Sequence, residues 1–199
     1  MRRIRIFDLK FKKNEINFFL KNSKNIFDEG FFTNHSYVKK FEDQFKKLNK
    51  SKFALSTSSG TSALEIILRS FDIKNKKVLV NSNTFIATGH AITNAGGKIV
   101  PVDLEKEYFM MDPKDLEKKI HKNIGAVVIV HIGGIITPNI LKIKKICNKF
   151  RVPLIEDAAQ AHGSKYKNIY AGNFGDAGAI SFFTTKVMTT GEGGMITTN

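Results

Sequence analysis

Cysteine is almost absent: Cys147 is the only one in 199 residues. It can form no internal disulfide, and no second thiol exists to build a zinc site, so the chain reads as cytoplasmic, in a reducing compartment, without redox chemistry. Long apolar runs are lacking too. The longest, GAVVIV from Gly125 to Val130, falls far short of the ~20 residues a bilayer crossing needs. The N-terminal MRRIRIFDLKFKKNEINFF breaks its apolar residues with Lys, Asp and Asn and has neither an h-region nor a small-residue cleavage site, so neither a membrane span nor a signal peptide is read. Acidic residues are scarce, 18 against 32 basic ones, giving a formal charge of +14. Such a balance raises nucleic acid as a partner. Yet 27 of the 32 basic residues are lysines, scattered singly and in pairs, with no aromatic-basic stacking motif, zinc finger or recognition helix. They read as a solvated surface, not a nucleic-acid site, with attraction for phosphorylated, anionic substrates as a by-product.

What is present is enough for an ordinary core: 22.3 kDa with 42% hydrophobic residues suits one domain. From about residue 53, short β-branched runs alternate with helical stretches, the pattern of an α/β domain with a mostly parallel sheet. Strands are predicted at FALST (Phe53 to Thr57), KVLVN (Lys77 to Asn81), KIVPVD (Lys98 to Asp103), GAVVIVH (Gly125 to His131), VPLIED, AGAISFF (Ala177 to Phe183) and GMITTN. The unbroken apolar run of GAVVIVH implies burial on both faces. Helices are predicted at Thr61 to Phe71, with Ala63, Ile66, Ile67 and Phe71 on one face, at Phe85 to Gly96, after the N-cap Asp112, and at Asn139 to Phe150. The first 50 residues read as a helical segment outside the sheet, with Phe41, Phe45 and Leu48 sharing a face. Residues 51–199 read as the sheet domain.

Chemistry concentrates in four places. Lys186 lies in SFFTTKVMTTGEGG, flanked by Thr184, Thr185, Thr189 and Thr190, a composition that packs and hydrogen-bonds. Glu156 and Asp157 follow a buried strand in LIEDAAQAHG, a spot where only a residue with a job tends to place a carboxylate, and Asp157 is the one read toward a ligand. An amine and a buried carboxylate suggest a pyridoxal phosphate (PLP) site, where the amine binds the cofactor aldehyde and the carboxylate keeps the pyridine nitrogen protonated. Gln160 stands where it could reach the ring's phenolic oxygen, while His162 reads as structural. SSGTSAL places Gly60 and Thr61 at a helix N-terminus, an anion site, although an ordinary helix cap accounts for the same string. Phe85 follows a strand at the sheet edge where ligands of open α/β sheets gather; it could stack on a ring or pack in the core. Ser181, on a strand just before the lysine, would present its hydroxyl to the phosphate. No metal site is read.

Together SSGTSAL, NTFIATGHAITNAGGKIVPVD, VIVHIGG and the block from LIEDAAQAHG to GMITTN resemble the DegT/DnrJ/StrS family of PLP-dependent nucleotide-sugar aminotransferases. The resemblance runs from about Gly30 to the end. It implies a three-layer α/β/α large domain of fold-type I, with Lys186 as the cofactor-binding lysine and Asp157 facing the pyridine nitrogen. It likewise gives Gln160 to the ring oxygen, Phe85 to stacking, and Gly60, Thr61 and Ser181 to the phosphate. Dehydratase relatives carry His where Lys186 stands, so transamination is favoured: an amino acid, glutamate by preference, donates its amino group to a nucleotide-linked keto-sugar. Two departures stand out. Ser36, in FFTNHSYVKKFE, occupies a position where Gly is common, and family members are about twice as long. A truncated chain lacking the C-terminal small domain is therefore expected, with the full-length protein a homodimer; an inactive remnant that binds PLP or a partner chain is the alternative.

Overall fold

The computed structural model describes residues 9–33 and 35–199. Asn34, within the segment Phe31 to Glu42, and the first eight residues lie outside it. Contacts divide the chain into two units, one up to Phe41 and one from Glu42 to Asn199. The first holds helix α1 (Lys13–Glu29), none of whose residues is buried. Gly30 ends it with φ 66°, sending its N–H back to Ile26 and Phe27 carbonyls. Helix α2 (Ser36–Asn49) carries the chain into the second unit.

That unit contains β1 (Phe53–Thr57), α3 (Gly60–Ser70), β2 (Lys77–Asn81), α4 (Ile86–Asn94), β3 (Lys98–Val102), α5 (Pro113–Lys119), β4 (Ile124–Val130), α6 (Ile140–Phe150), β5 (Leu154–Asp157), the short pair β6 (Lys165–Tyr166) and β7 (Ile169–Tyr170), β8 (Ala177–Ser181) and β9 (Gly194–Thr198). Seven strands form one sheet in the order β1-β9-β8-β5-β4-β2-β3. Pairing is parallel throughout except along β9, which runs antiparallel to both β1 and β8. The predicted α/β class with a mostly parallel sheet is what the molecule has.

Strand β4 shows why the sheet is buried on both sides. All seven of its residues are buried. Because side chains alternate with period 2, Ala126, Val128 and Val130 join Ala63, Leu64, Ile67 and Leu68 of α3 and Ala91 and Ile92 of α4 in one core cluster. Val127 and Ile129 alternate to the other face and are buried as well. Each such fully buried Val, Leu or Ile contributes roughly 1.5–3 kcal/mol.

Two helix faces differ from the pattern read in the sequence. On α3, Ile66 is 46% exposed, and the buried stripe is Ala63, Leu64, Ile67 and Leu68; Leu64 and Leu68, spaced i, i+4, supply the second row against the sheet. On α2, Phe45 is buried but Leu48 is half exposed. The Gly96 and Gly97 stop after α4 is a Schellman closure: Gly97 N–H donates to Ile92 O and Gly96 N–H to Thr93 O, with Gly96 at φ 83°. Asp112 caps α5 by accepting from Lys114 N–H, ahead of Pro113. Among the described residues no helix is long and apolar enough to cross a membrane.

Candidate active site

In an open parallel sheet the loops at the C-terminal strand ends enclose a crevice. Here those of β1, β2, β4, β5 and β8 enclose a cavity of about 440 Å³. All seven residues singled out in the sequence line it: Gly60, Thr61, Phe85, Asp157, Gln160, Ser181 and Lys186. That is the size range of small-ligand sites.

One end is a turn between β1 and α3. Ser59 caps α3, its Oγ accepting from Ser62 N–H at 3.0 Å, and Ala63 N–H returns to Ser59 O. The first two helical N–H groups, of Gly60 and Thr61, have no intrahelical acceptor and so are offered to an anion at the positive end of the helix. Gly60 is required by contact rather than by φ. A Cβ there would stand 2.7 Å from Ser181 Cβ, so its absence lets the helix start abut the Ser181 hydroxyl. Ser181 is buried on β8, and its Oγ accepts from Phe183 N–H at 3.3 Å.

The opposite end is Asp157, the last residue of β5 and 7% exposed. Its Oδ2 accepts from Thr88 Oγ1 at 2.7 Å and its Oδ1 from Ala159 N–H at 3.1 Å. Burial pushes its carboxyl up from the ordinary value, while Thr88, the Ala159 N–H and the charges of His131 and Lys186 pull against that rise. The cavity thus contains a carboxylate for which a cationic group on a ligand would be a favourable partner. Phe85, directly before α4, is 66% exposed beside the cavity, which removes the core-packing reading left open for it. Gln160 Oε1 accepts from Gly133 N–H at 2.8 Å, leaving its amide N–H groups for a ligand.

Lys186 is half-buried in the loop after β8, and its N–H closes a turn onto Phe183 O. The flanking threonines do hydrogen-bond within that loop. Thr184 Oγ1 donates to Gly191 O, Thr189 Oγ1 to Phe182 O, and Thr190 Oγ1 to Glu192 O. The amine is therefore carried on a braced loop. His162 does not line this cavity; its Nε2 lies 2.7 Å from Ser181 O, and burial lowers its pKa.

Thr88 and His131 were not found by sequence reasoning, and Glu156 was singled out there without a role. Thr88 meets Asp157, and His131, at the end of β4, lines the cavity. Its Nε2 lies 2.8 Å from Glu156 Oε2, and its main-chain N–H donates to Asp157 O. Glu156 is wholly buried and also accepts from the N–H groups of Gly172, Phe174 and Gly175. Three main-chain N–H donors on one carboxyl suit an accepting carboxylate, to which His131 Nε2 would then donate. Adjacent on β5, Glu156 and Asp157 point to opposite faces: one anchors a loop, the other serves the cavity. A carboxylate at the end of an apolar strand is the signal that marks Glu156; for Thr88, one threonine on a helix, there was none.

A sequence model of the DegT/DnrJ/EryC1/StrS aminotransferase family matches residues 13–199. Among curated relatives, the GDP-perosamine synthase of Escherichia coli O157:H7 is 40% identical over 167 residues, covering 82% of this chain and 45% of that protein. Among solved structures, the aminotransferase from Psychrobacter cryohalolentis superposes with a TM-score of 0.87 at 31% identity, over 96% of this chain and 48% of that one. A candidate sugar aminotransferase of Streptococcus pneumoniae in its PLP form gives 0.86 at 26% identity, over 90% and 50%. The chain spans about half the length of the relatives it matches.

Proposed function

The chain belongs to the DegT/DnrJ/EryC1/StrS aminotransferase family, and from that premise we propose that it is the PLP-binding portion of an enzyme that moves an amino group from an amino acid, glutamate by preference, to a keto-sugar on a nucleoside diphosphate. The observation that carries the reading is the convergence of Lys186, Asp157, Phe85 and the Gly60–Ser181 contact on one cavity.

The residues fit the cofactor. Gly60 and Thr61 N–H groups with the Ser181 hydroxyl make a donor set for a phosphate, at a helix start where a Cβ would collide. Asp157 is a buried carboxylate that would form a charge-assisted hydrogen bond with a protonated ring nitrogen, and Gln160 offers amide donors to a ring oxygen. Phe85 presents a flat, accessible side chain against the ring. When bound, PLP supplies an electron sink for the charge left as a proton leaves the amino acid.

Lys186 would hold the cofactor through its amine and would move the substrate proton. The exchange would be ping-pong: the donor would leave as its 2-oxo acid with its amino group retained in the site, and the keto-sugar would then enter to receive it. A lysine at this position, where dehydratase relatives carry His, favours transamination over dehydration. The same reading makes the functional unit a cytoplasmic homodimer, to be checked by sedimentation.

The test is optical. The purified chain mixed with PLP should develop the visible absorbance band of lysine-bound cofactor, and Lys186→Ala should not. If the wild-type chain shows no band, cofactor binding by this chain is refuted. A band without release of 2-oxoglutarate when glutamate is added supports the inactive remnant instead.

A further inference from the structure

Two threonine hydroxyls form a relay that ends on the carboxylate assigned to the cofactor ring. Thr88 sits in α4, three residues after Phe85, and is 1% exposed. Its Oγ1 stands 2.7 Å from Asp157 Oδ2 and 2.7 Å from Thr84 Oγ1. A hydroxyl has one proton to give. Once Thr88 donates to Asp157 it can only accept from Thr84, so donation runs from Thr84 through Thr88 to the carboxylate. The other acceptor for Thr84, Phe85 O, is a long 3.4 Å away.

The rest of the surroundings leave this role to Thr88. Ala159 N–H occupies the other oxygen, Oδ1. The charged or titratable groups that act on Asp157 are His131, at the end of β4, and Lys186, in the loop after β8. Among the described residues neither forms a hydrogen bond with its carboxylate. The neighbouring Glu156 turns its carboxylate to His131 and to Gly172, Phe174 and Gly175. Burial opposes ionisation of Asp157, and the Thr88 hydroxyl is the strongest single influence against it.

We propose that Thr88 is a positioning residue for the reaction: its hydroxyl, primed by Thr84, aims Asp157 Oδ2 and stabilises the ionised carboxylate that the cofactor ring requires. The inference rests on the cofactor assignment made above. It adds a cavity-lining residue that acts through Asp157 and sets the pH range over which the site accepts the cofactor.

Thr88→Val keeps the shape of the side chain and removes its proton, whereas Thr88→Ser keeps the proton and removes a methyl. The Asp157 carboxyl resonance of the ¹³C-aspartate-labelled apo chain, identified by its loss in Asp157→Asn, is followed against pH. PLP affinity is measured over the same range from the visible band. In Thr88→Val the resonance should titrate at higher pH. PLP binding at neutral pH should weaken about tenfold, the worth of one hydrogen bond to a charged group, with the loss shrinking as pH rises. Thr88→Ser should stay within about threefold of wild type, because the donor remains. Thr84→Val should move both readouts the same way by less, and it carries the test if Thr88→Val does not fold. An Asp157 titration that is unmoved in a folded variant overturns the inference while PLP still binds. Failure of the cofactor assignment looks different: the Asp157 titration shifts, but no chain, wild type included, binds PLP.

Discussion

Replacing Asp157 with Asn should make the apo chain more stable and the cofactor-loaded chain less well stabilised, an inversion that follows from geometry. Asn is nearly isosteric. Its Oδ1 can still accept from Ala159 N–H, and its amide can donate to Thr88 Oγ1, whose own proton then turns to Thr84 Oγ1, 2.7 Å away. The network survives and only the charge goes. Because burial raises the Asp157 pKa above its ordinary value of 3.8, the folded state holds the proton more tightly than the unfolded one. Stability therefore falls as pH climbs through the window between those two values, and the penalty is fully present above it. Removing the charge should gain about 0.5–2 kcal/mol at neutral pH, as stabilising changes at functional sites do. For a chain of this size that is roughly 1–8 °C in melting temperature. The gain should vanish below the ordinary carboxylate range, where Asp157 is protonated in both states. With saturating PLP the order reverses, since only wild type makes a charged contact to the ring, worth about 1.5–3 kcal/mol. Calorimetric or fluorescence melts of both chains, with and without PLP, near neutral pH and near pH 3.5, give all four numbers. An Asn variant that melts lower than wild type without PLP at neutral pH, or that gains as much from PLP, would refute the reasoning.

Three further substitutions probe the site and its frame. Phe85→Ala should weaken PLP retention about 3- to 10-fold, the worth of one stacked ring, yet leave the apo melting temperature within about a degree because Phe85 is already 66% exposed; equilibrium dialysis and a melt check the two halves. Gly60→Ala drives a Cβ to 2.7 Å from Ser181 Cβ and should cost about 1–3 kcal/mol, together with most of the affinity for PLP; inorganic phosphate should protect wild type, but not the variant, in a melt. Glu156→Gln puts an amide donor among three main-chain N–H donors. It should cost about 1–3 kcal/mol, seen as a lower urea midpoint.

How much of this was legible in the sequence depends on how local each signal was. The strands at Phe53–Thr57 and Lys77–Asn81 coincide with their predicted bounds, because β-branched runs bounded by turn residues are short-range signals. The seven candidate site residues could be placed together because strand ends of a parallel sheet converge, so position along the chain translates into position at one edge. The misses are non-local. Thr88 reaches Asp157 across 69 positions and His131 reaches Glu156 across 25, and nothing in either segment announces the other. Hydrophobicity alone places Ile66 on the buried face, but which side of the helix meets the sheet is a tertiary matter, and Leu64 and Leu68 are buried where Ile66 is exposed. The β6–β7 hairpin was also passed over. Its turn holds Lys167 at φ 48° and Asn168 at φ 64°, a left-handed pair signalled only by the asparagine.

The reversed strand β9 also dictates an order of assembly. Phe53 in β1 pairs with Thr198 in β9, 145 positions later (198 minus 53), while the other edge of β9 pairs with β8. The strand that leads into the Gly60 turn is thus docked to the sheet through a segment that a ribosome adds near residue 198. At a synthesis rate of about 5–20 residues per second, a nascent chain has carried its anion-binding turn for roughly 7–30 seconds before that turn gains its neighbour on the sheet. PLP supplied before β9 is made meets a chain whose Gly60 turn has no neighbouring strand on that side, and capture of the cofactor waits on β9.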